Sequence, residues 1–294
     1  MNYILLFFAT LASAAKVIMC KKIGHDSKNK QRMFLYNGVI FIVASLVILA
    51  SMLTDIKAVF EISPFSFVLA LLFAFFILFT QTGEILAMNY GSVSMTMMIF
   101  SCGFLIPIFY GCIFLNESIS PWQIIGLAVL IVALVMIISP KKNERLSWLW
   151  LVFTVLSTLG SGTNAVIQKI HQASEHKGEL LPFLFFALLF SSIFSFVASL
   201  LTRGGENTTK ESKNRHNEAL LFLLLGGVCV GVLNILNLAL AGKLPAVVQF
   251  PVYSIGSMIL SGLAARFIYR ERMSRRKLLG FGIGCVAITV IAVF

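Results

Sequence analysis

The sequence predicts an all-α membrane protein with ten transmembrane helices arranged as two inverted five-helix repeats. Three observations predict it. The 294-residue chain is 59% hydrophobic and only 12% charged, about half the charged share of a soluble domain. Its apolar residues fall in runs close to twenty residues long, the helix length that crosses roughly 30 Å of hydrocarbon. Landmarks of the first half also recur, in the same order, in the second.

The spans are expected at 2–20, 33–53, 67–88, 93–115, 121–139, 147–170, 181–201, 218–240, 245–268 and 276–293. Helices are the form expected, because a spanning backbone must satisfy its own hydrogen bonds and the alternation of barrel strands is absent. The first run has the length of a signal peptide and carries the tripeptide Ala12-Ser13-Ala14, but no lysine or arginine precedes it. Cleavage with export would also place the basic stretch from Lys21 to Arg32 outside the cell, so the run reads as a retained first span. The longest polar stretch, beginning at Thr202, reads as a loop between spans seven and eight and not as a domain.

Basic residues set the expected orientation. Lys21, Lys22, Lys28, Lys30 and Arg32 follow span one; Lys141, Lys142 and Arg145 follow span five. Arg203, Lys210, Lys213 and Arg215 follow span seven; Arg270, Arg272, Arg275, Arg276 and Lys277 follow span nine. The intervening connectors offer little beyond Lys57, Lys177 and Lys243. Short loops rich in Lys and Arg stay in the cytoplasm, which puts both termini outside it and the chain in the cytoplasmic membrane. The same bias accounts for the net charge of +11, so no nucleic-acid partner is expected; the partners are the bilayer and a small solute.

Neither metal nor cofactor chemistry is suggested. Cys20, Cys102, Cys112, Cys229 and Cys285 lie in apolar runs without paired spacing, and His25, His171, His176 and His216 lie in the polar connectors. The spans hold no histidine, no aspartate and no grouping of acid, base and nucleophile at one depth, so an intramembrane enzyme is not expected.

The internal repeat divides the chain into a first half, 1–140, and a second, 141–294, within one bundle. A shift of 154 residues sets Glu117 on Glu271, Ser120 on Ser274, Gly126 on Gly280 and Ala133 on Ala287; a shift of 147 sets Lys22 on Lys169. Five spans per half is an odd number, so the second copy enters the membrane the other way up, and inverted repeats of this kind build alternating-access carriers.

The paired segments NESISPWQIIGLAVLIVALVMI and RERMSRRKLLGFGIGCVAITVI each place a glutamate at the close of a fourth helix, then a short turn, then a glycine-bearing fifth helix. In these segments and in its span layout the sequence resembles the drug/metabolite transporter superfamily, specifically its ten-helix EamA-type members. The resemblance implies transport of metabolites, amino acids or drugs, by proton exchange or facilitated diffusion. Members of that family more commonly keep their termini in the cytoplasm, whereas the basic connectors here say the reverse. A lipid or lipid-linked carrier flippase is the alternative the superfamily offers, and a non-transporting scaffold a third.

Polar residues within spans should face a cavity or another helix. Ser157, Ser161, Asn164 and Gln168 form one helical stripe on span six; Gly227, Gly231, Asn234, Asn237 and Ala241 form one on span eight; Gln249, Tyr253 and Ser257 form one on span nine. Their first-half counterparts are Ala9, Ser13, Lys16 and Cys20 on span one, and Thr80, Gln81 and Glu84 on span three. The expected solute contacts are Ser13, Gln81, Asn164, Gln168, Asn234, Asn237, Gln249 and Tyr253, a set suited to an uncharged or zwitterionic solute, with interhelical bonding as the rival role. Lys16 and Glu84 lie at similar depth and are candidates for an ion pair or a proton-coupling site. Gly280 and Gly284 offer a small-residue face for a homodimer or for packing inside the bundle. Glu117 and Glu271 are expected to cap helices.

Overall fold

Each apolar run becomes a helix. In the computed structural model, residues 2–22, 30–53, 57, 59–90, 96, 99–137, 147–202, 213–268 and 274–294 are described, and ten helices form among them. They are α1 (Asn2–Lys22), α2 (Lys30–Ser51), α3 (Pro64–Tyr90), α4 (Leu105–Phe114, entered through a 3-10 turn at Cys102–Phe104), α5 (Pro121–Ile137), α6 (Trp148–Ala173), α7 (Leu180–Leu201), α8 (Lys213–Ala241), α9 (Ala246–Ile268) and α10 (Arg275–Val293). Seven are long and apolar enough to cross a bilayer; the shorter apolar helices lie at Asn2–Lys16, Ile99–Phe114 and Pro121–Ile137.

Local chemistry sets the helix starts. Ser120 and Gln123 form a reciprocal capping box at α5: the Gln123 N–H donates to Ser120 Oγ (3.1 Å) and the Ser120 N–H to Gln123 Oε1 (3.0 Å). Pro121, which has no N–H to lose, occupies the first helical position. Ser274, the counterpart of Ser120 in the repeat, accepts the Lys277 N–H at α10, and Ser147 accepts that of Trp150 at α6.

The helices pack into two apolar bodies. One gathers α2, α3, α7 and α8 around residues such as Phe41, Phe73, Phe183 and Leu233; Ile167 of α6 joins it. The other gathers α4, α5, α9 and α10 around Phe104, Leu134, Phe250 and Phe281. Helix α1 packs on α8 and α9, and α6 packs on α3 and α4. Helices α2 and α7 pair with each other, as do α5 and α10; α2 also packs on α8, and α3 on α7. Large apolar side chains such as Phe7, Phe75, Ile124 and Val286 point outward. Such a surface would aggregate in water and suits lipid; the chain is a multi-pass integral membrane protein.

Both termini reach the same end of the bundle. The Tyr3 hydroxyl donates to the Ala292 carbonyl (2.9 Å), and the Trp122 and Phe294 rings lie 5.7 Å apart. We call this the terminal end.

One expectation meets a different outcome. Helix α6 runs to Ala173, three residues past its expected end, so His171 lies within a span and not in a solvated connector. It is wholly buried and stacks on Phe183 at 4.3 Å between ring centroids. Gly280 and Gly284 are buried inside the chain: an added Cβ at Gly280 would meet the backbone nitrogen of Ile137 at 2.9 Å, and one at Gly284 would meet Ile259 at 3.1 Å. The small-residue face therefore packs α10 on α5 and α9.

Candidate functional site

At the terminal end, the chain leaves α4 through a turn in which Asn116 adopts a φ of 52°, a left-handed conformation that asparagine tolerates better than most residues. The N–H groups of Leu115 and Glu117 both donate to the Gly111 carbonyl. This hairpin folds the Glu117 carboxylate back over Gly111, so close that a Cβ there would sit 2.5 Å from Oε2. A larger residue at 111 would push the carboxylate out of this position.

The carboxylate then joins three elements. Its Oε1 accepts from Lys169 Nζ of α6 at 2.6 Å, and its Oε2 accepts from the Ala246 N–H in the first turn of α9 at 2.6 Å. Lys169 Nζ also donates to the Leu244 carbonyl, just past α8, at 2.7 Å. The Lys169 side chain is only 3% exposed and that of Glu117 18%. A buried charge is stable only when paired and hydrogen-bonded, as both of these are. Glu117 thus caps a helix, as expected, but the capped helix is α9 in the opposite half of the sequence.

A second polar clasp lies beside the first. Glu179 Oε2 accepts from the Ser63 N–H (3.0 Å) and hydroxyl (2.8 Å), and Glu179 Oε1 lies 3.1 Å from His176 Nδ1. Ser63 Oγ lies 3.2 Å from Ser66 Oγ, which contacts His171 Nε2 at 3.3 Å; Gln172 Nε2 contacts His171 Nδ1 at 3.2 Å. The connection before α3 is thereby fastened to the turn between α6 and α7. A cavity of about 390 Å³ opens next to the clasps, lined by Glu117, Lys169, Gln172, Gly242, Lys243 and Leu244 among others. The larger groove, on α10 around Leu278, Leu279 and Val286, faces outward and is apolar, as a lipid-facing surface should be.

Farther into the bundle lie the amides singled out by helical spacing. Gln249 of α9 is fully buried and donates through Nε2 to the Asn237 carbonyl (2.7 Å) and Oδ1 (3.1 Å), which brings these two residues together. Its Oε1 has no partner among the described residues, and neither has Oε1 of Gln168, which is 5% exposed. Asn234 is buried and donates to the Val230 carbonyl of its own helix. Tyr253 is half-buried and packs against both the α2–α3–α7–α8 body and a small cluster of Leu6, Ala9, Leu240 and Leu244. Ser13 is buried on α1.

Other members of the predicted set bind neighbouring helices. Asn37 of α2 donates to Gln81 Oε1 at 3.1 Å. The Asn164 amide, turned to its consistent orientation, donates to the Phe73 carbonyl and accepts from the Ile77 N–H of α3. Gly227 and Gly231 press against Ile40, Val43, Ala44 and Val47 of α2. Lys16 is half-buried on α1, whereas the side chain of Glu84, its expected partner, lies outside the described residues, as do Glu271 and the side chain of Lys22.

Sequence reasoning missed Lys169 and His171 as site residues. A signal existed for Lys169: the repeat had already placed it opposite Lys22, and it falls inside the expected sixth span.

The helices, the apolar exterior and the buried polar interior define the class: a multi-pass helical membrane protein. Residues 148–293 match the EamA-like transporter family, part of the drug/metabolite transporter superfamily. A solved crystal structure is similar in fold, with a TM-score of 0.77 over 98% of this chain and 95% of its own, at 12% identity. That identity speaks for the fold alone. No match emerges among curated protein sequences.

Proposed function

We propose that this chain is a secondary transporter that moves a small polar solute across the cytoplasmic membrane by alternating access between its two halves. The observation that carries the reading is the Lys169–Glu117 clasp. It ties the end of α8, in one apolar body, to the start of α9 and the end of α4, in the other, while buried amides with unpaired oxygens lie deeper between them. A carrier needs such a releasable fastening at one end of a polar interior. A membrane scaffold has no use for unsatisfied buried acceptors, which cost stability.

The packing supports the inverted repeat. Renaming each helix by its counterpart in the other half turns the α1–α8 contact into α6–α3, α2–α8 into α7–α3, and α1–α9 into α6–α4, all of which occur; α2–α7, α5–α10 and α4–α9 map onto themselves. Each half can then adopt the shape its partner holds. The basic connectors put the terminal end outside the cytoplasm, so the clasp closes the outer side. Burial of Asn234, Asn237 and Gln249, against apolar outward faces, favours a soluble solute over a lipid.

The test is thermal-shift screening of detergent-purified protein against metabolites, then uptake of the hits into proteoliposomes with and without a pH gradient. At least one stabilising solute should enter the vesicles and exchange with its own unlabelled form. A broad panel that neither stabilises the protein nor crosses the membrane would leave the flippase and scaffold readings.

A further inference from the structure

Lys169 brings three ammonium hydrogens to the terminal end, and its contacts use two, on Glu117 Oε1 and the Leu244 carbonyl. Glu117 Oε1 takes one of these hydrogens while Oε2 takes the Ala246 N–H, and among the described residues no partner stands opposite the third. The buried ammonium lines the 390 Å³ cavity, a volume within the range of small-molecule sites. Of the charged residues around that cavity, Lys169 and Lys243 are cations and Glu117 is the only anion, so the lining carries a net single positive charge. Gln172 adds an amide, and Lys243 is exposed at the rim, where it can meet an entering anion.

We propose that this cavity is a binding site for the carboxylate of a soluble monoanion or zwitterion, held by the remaining N–H of Lys169 and by Lys243. A carboxylate supplies the one negative charge the lining lacks and accepts charge-assisted hydrogen bonds from ammonium groups. Once seated, it competes with Glu117 for Lys169. That exchange of one carboxylate for another leaves the lysine paired, so the clasp can loosen without stranding a buried charge. The proposal rests on the transporter reading for its role in gating, but binding itself is measured without transport.

The experiment titrates the purified full chain in neutral detergent with matched pairs, lactate against lactamide and benzoate against benzamide, following the melting temperature. At least one carboxylate should stabilise saturably while its amide does not. In Lys169→Gln/Glu117→Gln, which removes both charges and keeps an acceptor for the Ala246 N–H, the apparent Kd should rise about tenfold or more. Lys243→Gln, at an exposed position, should weaken binding by a smaller factor. Equal stabilisation by the amides, unchanged affinity in both variants, or Lys169-dependent stabilisation by phosphatidylglycerol micelles alone would each overturn the proposal. Carboxylate binding that survives in a protein without flux would sink the transporter reading and leave the site standing.

Discussion

Lys169 and Glu117 are worth most as a pair. Removing the lysine alone leaves a mostly buried carboxylate with one N–H partner, and breaking such a pair costs about 3 kcal/mol or more. Lys169→Gln should therefore lower the melting temperature in detergent well below wild type. Lys169→Gln/Glu117→Gln should recover most of the loss, and thermal unfolding of both variants checks this. Gln168 predicts the opposite relation between stability and activity. Its buried Oε1 lacks a partner, so Gln168→Met should melt at or above the wild-type temperature while solute flux in proteoliposomes falls. A fall in stability with flux intact would make Gln168 a packing residue. The spacing of polar residues identified Gln168, Asn237 and Gln249 as inward-facing. It could not tell them from Asn164 and Gln81, which hydrogen-bond to adjacent helices, because both kinds obey the same helical period.

The turn and helix ends carry what is most local in the fold. Ser120→Ala removes half of the capping box at α5 and should cost about 1 kcal/mol, read as a lower melting temperature. Close helix approaches give a sharper contrast. At Gly162 of α6 a Cβ would overlap the side chain of Ile106, including its Cβ at 2.6 Å, whereas at Gly282 of α10 nothing lies within 4 Å. Gly162→Ala should destabilise by roughly 1–3 kcal/mol through overpacking. Gly282→Ala should leave stability unchanged or slightly raised, since alanine favours helix over glycine. Both glycines look alike in sequence, and only the neighbouring helix distinguishes them. The length of α6 was similarly hidden: residues 171–173 read as a polar connector until Ser66 and Phe183 supply contacts that let His171 continue the helix inside the protein.

For the whole molecule, the distribution of basic residues makes a prediction independent of any solute. An alkaline phosphatase fused after Phe294 should be active and a green fluorescent protein at the same point dark, as expected for a C-terminus outside the cytoplasm; the reverse result would invert the molecule and make the Lys169–Glu117 clasp an inner closure. The number of helices and the helical class were set by the sequence alone, because lipid leaves the backbone no alternative to helices and the apolar runs have bilayer length. Which polar side chains meet was decided only by tertiary structure. Glu117 lies 52 residues from Lys169 and 129 from Ala246, and no periodicity within a single helix reports on contacts made when the two halves come together.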